Sequence, residues 1–578
     1  MPDPADLWRT AFRHPTPWEQ DFPPLSLPDM FEASARRVPN AWLIDFMGRK
    51  YSYAETLHGV NRVACGLAKL GIQKGDRVGL FLPNVPHYAA AYYGALKLGA
   101  TVVNFSPLYS VAELVAQVED SGTRLLFTLS AAALLPNALE LLELTRLERL
   151  VVGSVAGALP PAKSLLYRLF KRKEIAARPR DQRIMAFSAL IANDGRCSAV
   201  PIDPVEDLAL IQYTGGTTGT PKGGMLTHQN LSANASQVNA IDPDPAAEDR
   251  IMGVLPLFHV FANTCVLNRT VLRGGEMVLL PRFDAGQTLA AIERTRPTAM
   301  PGVPTMYQAL LDHPKIGSTD LSSLRICISG GAPMPSEVKR RFEEKTGARL
   351  VEGYGLTESS GVVSTNPYDG LNKTGTIGQP LPRTLVLLVD KEDPSRPPAE
   401  GEPGEIVIAG PQVMKGYWRR PEADAEVFVA GGLRTGDVGL IDEDGYIRIV
   451  DRLKDMIAVS GYKVFPSQIE EILYRHESVR EALVIGIPDP YAGERPKAFV
   501  TLRDGADLSG EALMLWLNPL LGKHERVVAV ELRDALPKTM IGKLSRKELQ
   551  AEERAKAGSD SVSGINPDRG GITPNRSG

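Results

Sequence analysis

Over the first 450 or so residues, short β-branched runs alternate with amphipathic stretches. RVGLFLP (77–83) is followed by HYAAAYYGALKLG (87–99) and then ATVVNFSP (100–107), a pattern that predicts strand, helix and strand. The same alternation returns in TRLLFTL (123–129), in RIMGVLPLF (250–258), and in SLRICISGGAPMPSEVKRRFEEKTG (323–347). Repeated units of this kind predict parallel sheets covered by helices. From about Pro380 the texture changes to LVLLVD, GEIVIAG and GYIRIV, short strands separated by glycine and charged turns, which predicts a small barrel or β-rich subdomain. VDRLKDMIAVSGYKVFP then opens a segment that mixes strands with one clear helix, PSQIEEILYRHESV. The reading is an α/β protein with a large N-terminal domain (1–451), a small α+β C-terminal domain (452–556) and a disordered tail (557–578) with little apolar content.

Segment 161–176, PAKSLLYRLFKRKEIA, sets Leu165, Leu166, Leu169 and Phe170 beside a basic cluster. It reads either as a membrane-surface helix or as an ordinary surface helix with a buried stripe, and amphipathicity alone favours the second.

Bulk properties narrow the function classes. With 65 Lys+Arg against 68 Asp+Glu the net charge is −3, so no global field points to nucleic acid. The four cysteines (Cys65, Cys197, Cys265, Cys327) are scattered without C-x-x-C pairs, which argues against a structural zinc site or a disulfide framework and fits a reducing cytoplasm. The N-terminus lacks an apolar signal region, and no apolar run reaches the length of a bilayer span.

Candidate chemistry lies in four glycine-marked loops. The first, YTGGTTGTPKGG (213–224), offers backbone amides, threonine hydroxyls and Lys222, the donors and charge that a phosphate needs. It departs from G-x-x-x-x-G-K-[ST], because no Ser or Thr follows the lysine. The second, ISGGAPMP (328–335), ends a strand in glycines, where a planar ligand can lie against backbone. The third, EGYGLTES (352–359), holds an aromatic, a hydroxyl and a carboxylate within five residues. The fourth, LRTGDVG (433–439), places Asp437 in a turn. Ligands gather at the carboxyl ends of strands in α/β sheets, so these loops are expected to converge.

In combination and in order, YTGGTTGTPKG, SGGAPMP, EGYGLTE, RTGD, VDRLKD and LPKTMIGKLSRKEL resemble the adenylate-forming superfamily of acyl- and aryl-CoA synthetases, luciferases and adenylation domains, from about Trp8 to Leu549. YTGGTTG and LPLFHVFANT, with the basic insert around Lys171, are most similar to bacterial long-chain fatty acid CoA ligases. The resemblance implies that a carboxylate attacks the α-phosphate of ATP, pyrophosphate leaves, and the thiol of CoA then displaces AMP. It assigns the β- and γ-phosphates to Thr214, Gly215, Gly216, Thr217, Thr218, Gly219 and Lys222. Mg²⁺ falls to Thr217 and Glu358, adenine to Gly331, Ala332 and Tyr354, the α-phosphate to Thr357, the ribose to Asp437, and further nucleotide contact to Arg452. Lys543 matches the lysine that bridges carboxylate and phosphate, Lys454 the hinge of a mobile C-terminal domain, and Gly461 the glycine beside which pantetheine threads. His259, Phe258, Phe261, Val303, Pro304 and Met306 would line the acyl pocket.

Three departures from the family pattern are visible: HVFANTC has no tunnel-gating Trp, Gly432 stands where GWL has Trp, and Gly215–Gly216 replaces SG. The rivals within the superfamily are a medium-chain or aryl-CoA ligase and a fatty acyl-AMP ligase. A P-loop phosphotransferase, from a different class, would give Lys543 and Gly461 no role. Fatty acid, ATP and CoA are the expected partners, and nucleic acid is not. The cytoplasm is the expected compartment, with peripheral contact at the inner face of the membrane and homodimerisation left open.

Overall fold

The computed structural model describes residues 5–214, 221–429, 431–460, 462–489, 491–539 and 542–563. The chain forms two compact units, Met1–Ile449 with Met540–Lys543, and Val450–Thr539 with Leu544–Gly578.

The first unit holds two largely parallel sheets and one antiparallel sheet. The eight-stranded sheet runs in the order Gly416–Tyr417, Lys222–Thr227, Leu208–Thr214, Thr101–Asn104, Arg77–Leu80, Thr123–Leu129, Arg149–Gly153 and Ile184–Ala186. The nine-stranded sheet runs Gln379–Pro380, Ser364–Thr365, Arg349–Tyr354, Ile326–Ser329, Ala299–Gly302, Arg250–Gly253, Glu276–Leu279, Trp42–Phe46 and Arg49–Ser52. The apolar runs found in the sequence become buried parallel strands, as in Thr101–Asn104 and Glu276–Leu279, whose residues are all buried. Helices cover them. Tyr53–Lys69 is capped by Ser52, and Val111–Ser121 starts on a reciprocal Ser110/Glu113 capping box. Tyr53–Lys69 meets Pro86–Lys97 so closely that a Cβ on Gly94 would lie 2.6 Å from Val63, which is why that position has no side chain. The predicted β-rich subdomain is a five-stranded antiparallel sheet built on Leu385–Val389, Gly404–Ala409, Gly432–Ile441 and Phe428–Val429, with Ile447–Arg452 paired to Gly432–Ile441.

The second unit is built around a ten-residue antiparallel pairing of Val479–Asp489 with Gly493–Leu502. Helix Pro466–Leu473 packs Ile469 and Leu473 into its core. Half-buried Arg546 holds the Glu470 carboxylate through two contacts of 2.6 and 2.7 Å. The last helix is Arg546–Ser563, and residues 564–578 of the expected tail lie outside the described residues.

Two expectations are corrected. Cys65 and Cys197, 132 residues apart, form a disulfide with a Cα–Cα distance of 5.3 Å, while Cys265 and Cys327 are free and buried. Sequence spacing carries no information on such a pairing, because the fold alone brings the two cysteines together. Helix Pro161–Phe170 has no buried residue, so its apolar stripe is not a buried one. Among the described residues no helix is long and apolar enough to cross a membrane.

Candidate active site

Four neighbouring parallel strands of the nine-stranded sheet deliver most of the site from their carboxyl ends. Arg250–Gly253 leads to His259, Ala299–Gly302 to Val303, Ile326–Ser329 to Gly331 and Ala332, and Arg349–Tyr354 to Thr357 and Glu358. The loops lock on one another through backbone. Met334 N–H donates to Glu352 Oε2 at 3.0 Å, tying the Gly330–Gly331 turn to the adjacent strand. Gly331 has φ +80°, and Gly355 lies so near the Gly361 carbonyl that a Cβ would approach it to 2.0 Å. A side chain at Gly355 would therefore open the Tyr354–Ser359 turn. Phe261 closes the other side, its ring edge within 3.1 Å of where a Cβ on Gly330 would be.

The hairpin of the first glycine-marked motif comes from the other sheet. Thr214 pairs with Lys222 across it, and Gly215, Gly216, Thr217, Thr218 and Gly219 lie outside the described residues. Beside this hairpin runs Gly416–Tyr417, pairing Tyr417 with Gly224 and Gly416 with Met225. That register places the Lys222 ammonium 5.2 Å from the centre of the Tyr417 ring, while the Tyr417 hydroxyl donates to Glu358 Oε1 at 2.8 Å. Burial, reinforced by the Glu358 charge, raises the phenol well above its ordinary range, so it stays a proton donor. Tyr417 thus joins Lys222 of the first motif to Glu358 of the third. Sequence reasoning missed it. KGYW has no chemical signature of its own, and only strand register shows what its tyrosine touches.

The fourth motif is held by a residue that sequence reasoning also missed. Buried Glu405 receives Arg434 at 2.6 and 2.9 Å and the Gly436 amide at 3.1 Å. A register shift between Glu405 and Val407 marks the same place, and Gly436 turns with φ +72°. The irregularity presents buried Asp437 to Tyr354, whose hydroxyl donates to Asp437 Oδ2 at 2.5 Å. A cavity of about 330 Å³ opens among these elements, lined by Leu356, Glu358, Glu405, Tyr417, Thr435 and Gly436 together with their neighbours. Gly432 also has its reason here. A Cβ at that position would lie 2.8 Å from the Ile408 carbonyl of the adjacent strand.

At the expected acyl end, Phe258, Phe261, Val303 and Met306 are buried. His259 precedes a turn of helix, and its Nδ1 accepts from the Phe261 amide at 3.3 Å. Burial, with the Lys543 charge adding, lowers its pKa to about 4, which keeps the imidazole neutral. Gly542 and Lys543 are grouped with the first unit, where Thr305 Oγ1 donates to the Gly542 carbonyl at 2.6 Å. Gly542 has φ +82°, a conformation that favours glycine. Arg452 and Lys454 belong to the second unit, whereas Gly461 lies outside the described residues.

A family model described as AMP-binding enzyme matches residues 31–418, and one described as AMP-binding enzyme C-terminal domain matches 468–543. A long-chain-fatty-acid–CoA ligase of Bacillus subtilis is 41% identical over 94% of this chain and 98% of its own length. A feruloyl-CoA synthase of an Amycolatopsis species is 37% identical over 89% and 96%. Among solved structures, an anthranilate CoA ligase in complex with anthranoyl-AMP superposes with a TM-score of 0.82 at 26% identity, covering 93% of this chain and 99% of its own. ATP-bound MatB from Rhodopseudomonas palustris gives 0.79 at 28%, over 91% of this chain and 99% of its own. The ordered motifs, the two-sheet unit that gathers them and these matches agree: the chain belongs to the AMP-binding enzyme family.

Proposed function

We infer that this chain activates a long-chain fatty acid with ATP, giving acyl-AMP and pyrophosphate, and transfers the acyl group to CoA with release of AMP. The observation that carries the reading is the junction of Lys222, Tyr417 and Glu358 at a cavity that Thr435 and Gly436 also line. A cation, a fixed proton donor and a carboxylate meeting at this cavity support the binding of a polyphosphate. The extent of similarity to fatty-acid ligases supports the substrate class.

In this reading the hairpin that starts at Thr214 and returns at Lys222 grips the pyrophosphate that leaves. Tyr354 and the turn at Gly331 and Ala332 hold the base, Asp437 accepts from the ribose, and Thr357 faces the α-phosphate. Lys543 neutralises charge as the carboxylate oxygen attacks phosphorus, the kind of electrostatic contribution that dominates such sites. His259, neutral at physiological pH, leaves the attacking carboxylate to pair with Lys543 rather than with an imidazolium. Gly461 serves the second half-reaction, in which the CoA thiolate displaces AMP.

The donors fit Mg²⁺. The ion needs only one or two protein carboxylates when phosphates complete its shell, and Glu358 supplies a hard oxygen on the cavity wall. Bound there, it would neutralise phosphate charge; Thr217, the other ligand the resemblance implies, lies outside the described residues. The acyl wall of Phe258, Phe261 and Val303 favours a long apolar chain, each buried methylene adding about 0.8 kcal/mol.

Pyrophosphate exchange across a panel of acids, followed by detection of CoA thioesters, tests the reading. Exchange and thioester formation with long-chain acids are expected. Exchange confined to hydroxycinnamic or benzoic acids would reassign the chain to the aryl-acid ligases, the second reading that the feruloyl-CoA synthase relative supports. Exchange without thioester would make it an acyl-AMP ligase.

A further inference from the structure

Helix Pro161–Phe170 is unusual in what it leaves uncovered. Leu165, Leu166, Leu169 and Phe170 fall at i, i+1, i+4 and i+5, one face of the helix. They are 60, 52, 52 and 79% exposed. Among the described residues fourteen large hydrophobic side chains are exposed, and four of them stand together here within six positions. Single exposed leucines are ordinary, but a contiguous stripe marks a surface that something covers.

The helix is firmly seated, so the exposure is a property of the fold. Tyr167 packs against the core from its inner side. Lys163 Nζ donates to the Met47 carbonyl at 2.8 Å. The short helix before it is held by Tyr51 Oη donating to the Ala158 carbonyl at 2.9 Å and by Arg49 Nη1 donating to Gly157 at 2.7 Å.

The charge around the stripe identifies the occupant. Residues 161–180 contain seven Lys or Arg and a single acidic residue, Glu174, in a chain whose net charge is −3. Lys163, Arg168, Lys171, Arg172 and Lys173 are all exposed, and the last two sit in the turn Arg172–Glu174 at the end of the helix. A ten-residue helix with an apolar face outward and basic residues along its rim matches the interface of an anionic lipid bilayer, where the face enters the headgroup boundary and the cations meet phosphates.

We propose that helix Pro161–Phe170 docks this protein on anionic phospholipid membranes, through insertion of Leu165, Leu166, Leu169 and Phe170 and pairing of Arg168, Lys171, Arg172 and Lys173 with lipid phosphates. None of these residues belongs to the catalytic machinery, so membrane docking and catalysis can be read separately.

The test is sedimentation of the full-length protein with phosphatidylglycerol/phosphatidylcholine vesicles and with phosphatidylcholine vesicles alone. Two variants accompany it: Leu165→Ser/Leu169→Ser/Phe170→Ser, and Arg168→Glu/Lys171→Glu/Arg172→Glu. Wild type should partition onto the anionic vesicles and be released by salt. Each variant should lose on the order of tenfold or more of that partitioning. All the substitutions are at exposed positions, so melting temperature and activity on a detergent-dispersed acid should be unchanged. Absence of binding to anionic vesicles, or binding that the serine variant retains, overturns the proposal. Self-association of wild type on a sizing column that the serine variant abolishes, without vesicle binding, would overturn it in favour of a second copy as the occupant.

Discussion

The Tyr354 hydroxyl donates a 2.5 Å hydrogen bond to Asp437 Oδ2 across 83 positions of sequence, joining the strand end of one sheet to the turn of another. The proposed adenine-stacking residue therefore orients the proposed ribose acceptor. Tyr354→Phe keeps the ring and removes the bond. Its KM for ATP should rise about fivefold to tenfold, as expected for one hydrogen bond to a charged group, with the KM for the acid unchanged. Steady-state kinetics with each substrate varied separately checks this, and an unchanged ATP KM would refute the coupling.

Tyr417 and Glu358 make the second test. Tyr417→Phe should lower kcat/KM by roughly 10- to 100-fold by releasing the Glu358 carboxylate from its donor. Glu358→Gln should move the magnesium dependence to higher concentration. Titration of pyrophosphate exchange with Mg²⁺ separates the two variants. A Glu358→Gln enzyme with the wild-type midpoint would remove Glu358 from the metal's shell.

The two half-reactions should divide by residue. Lys543→Ala is expected to lose adenylation by about 10²–10⁴-fold while largely sparing CoA transfer from supplied acyl-AMP. Gly461→Leu is expected to do the reverse. Single-turnover measurement of each half checks the division, and equal loss of both halves in the Lys543 variant would end it.

Acid should destabilise the fold in a defined window. Burial lowers the pKa of His14, His87, His228 and His259 from 6.5 to about 4. Because the folded values lie below the unfolded one, the unfolded chain binds more protons between pH 6.5 and about 4. Stability is then fully present above 6.5 and falls as pH drops through that interval, each histidine contributing a slope of up to about 1.4 kcal/mol per pH unit. Melting temperature measured against pH should decline there, and His14→Gln, distant in sequence from every proposed active-site residue, should flatten the decline if it folds. A flat profile from pH 7 to 5 contradicts the argument.

Much of this was legible in the chain. The run ATVVNFSP is buried on both faces of its strand, ICIS within SLRICISGG is largely buried, and glycines such as Gly331 and Gly542 adopt positive φ, so composition and conformation agree. Pairings made by the fold alone were not legible. Tyr417 acquires its contacts from strand register, Glu405 from a bulge, and Cys65 meets Cys197 only because a helix and a distant loop become neighbours. The helix Pro161–Phe170 shows the opposite case. Its periodicity was plain, but whether the apolar face turns inward depends on what packs against it, which no local pattern contains.

The edge strand Gly416–Tyr417 has a consequence for biosynthesis. It covers the outer side of a hairpin whose own strands end at Thr227, so nearly 190 residues must leave the ribosome before the proposed phosphate-binding edge acquires its neighbour. At about 5–20 residues per second that is roughly 10–40 s of translation with a bare strand edge. The nascent chain is exposed to mispairing over that interval, and the site matures only once Tyr417 arrives.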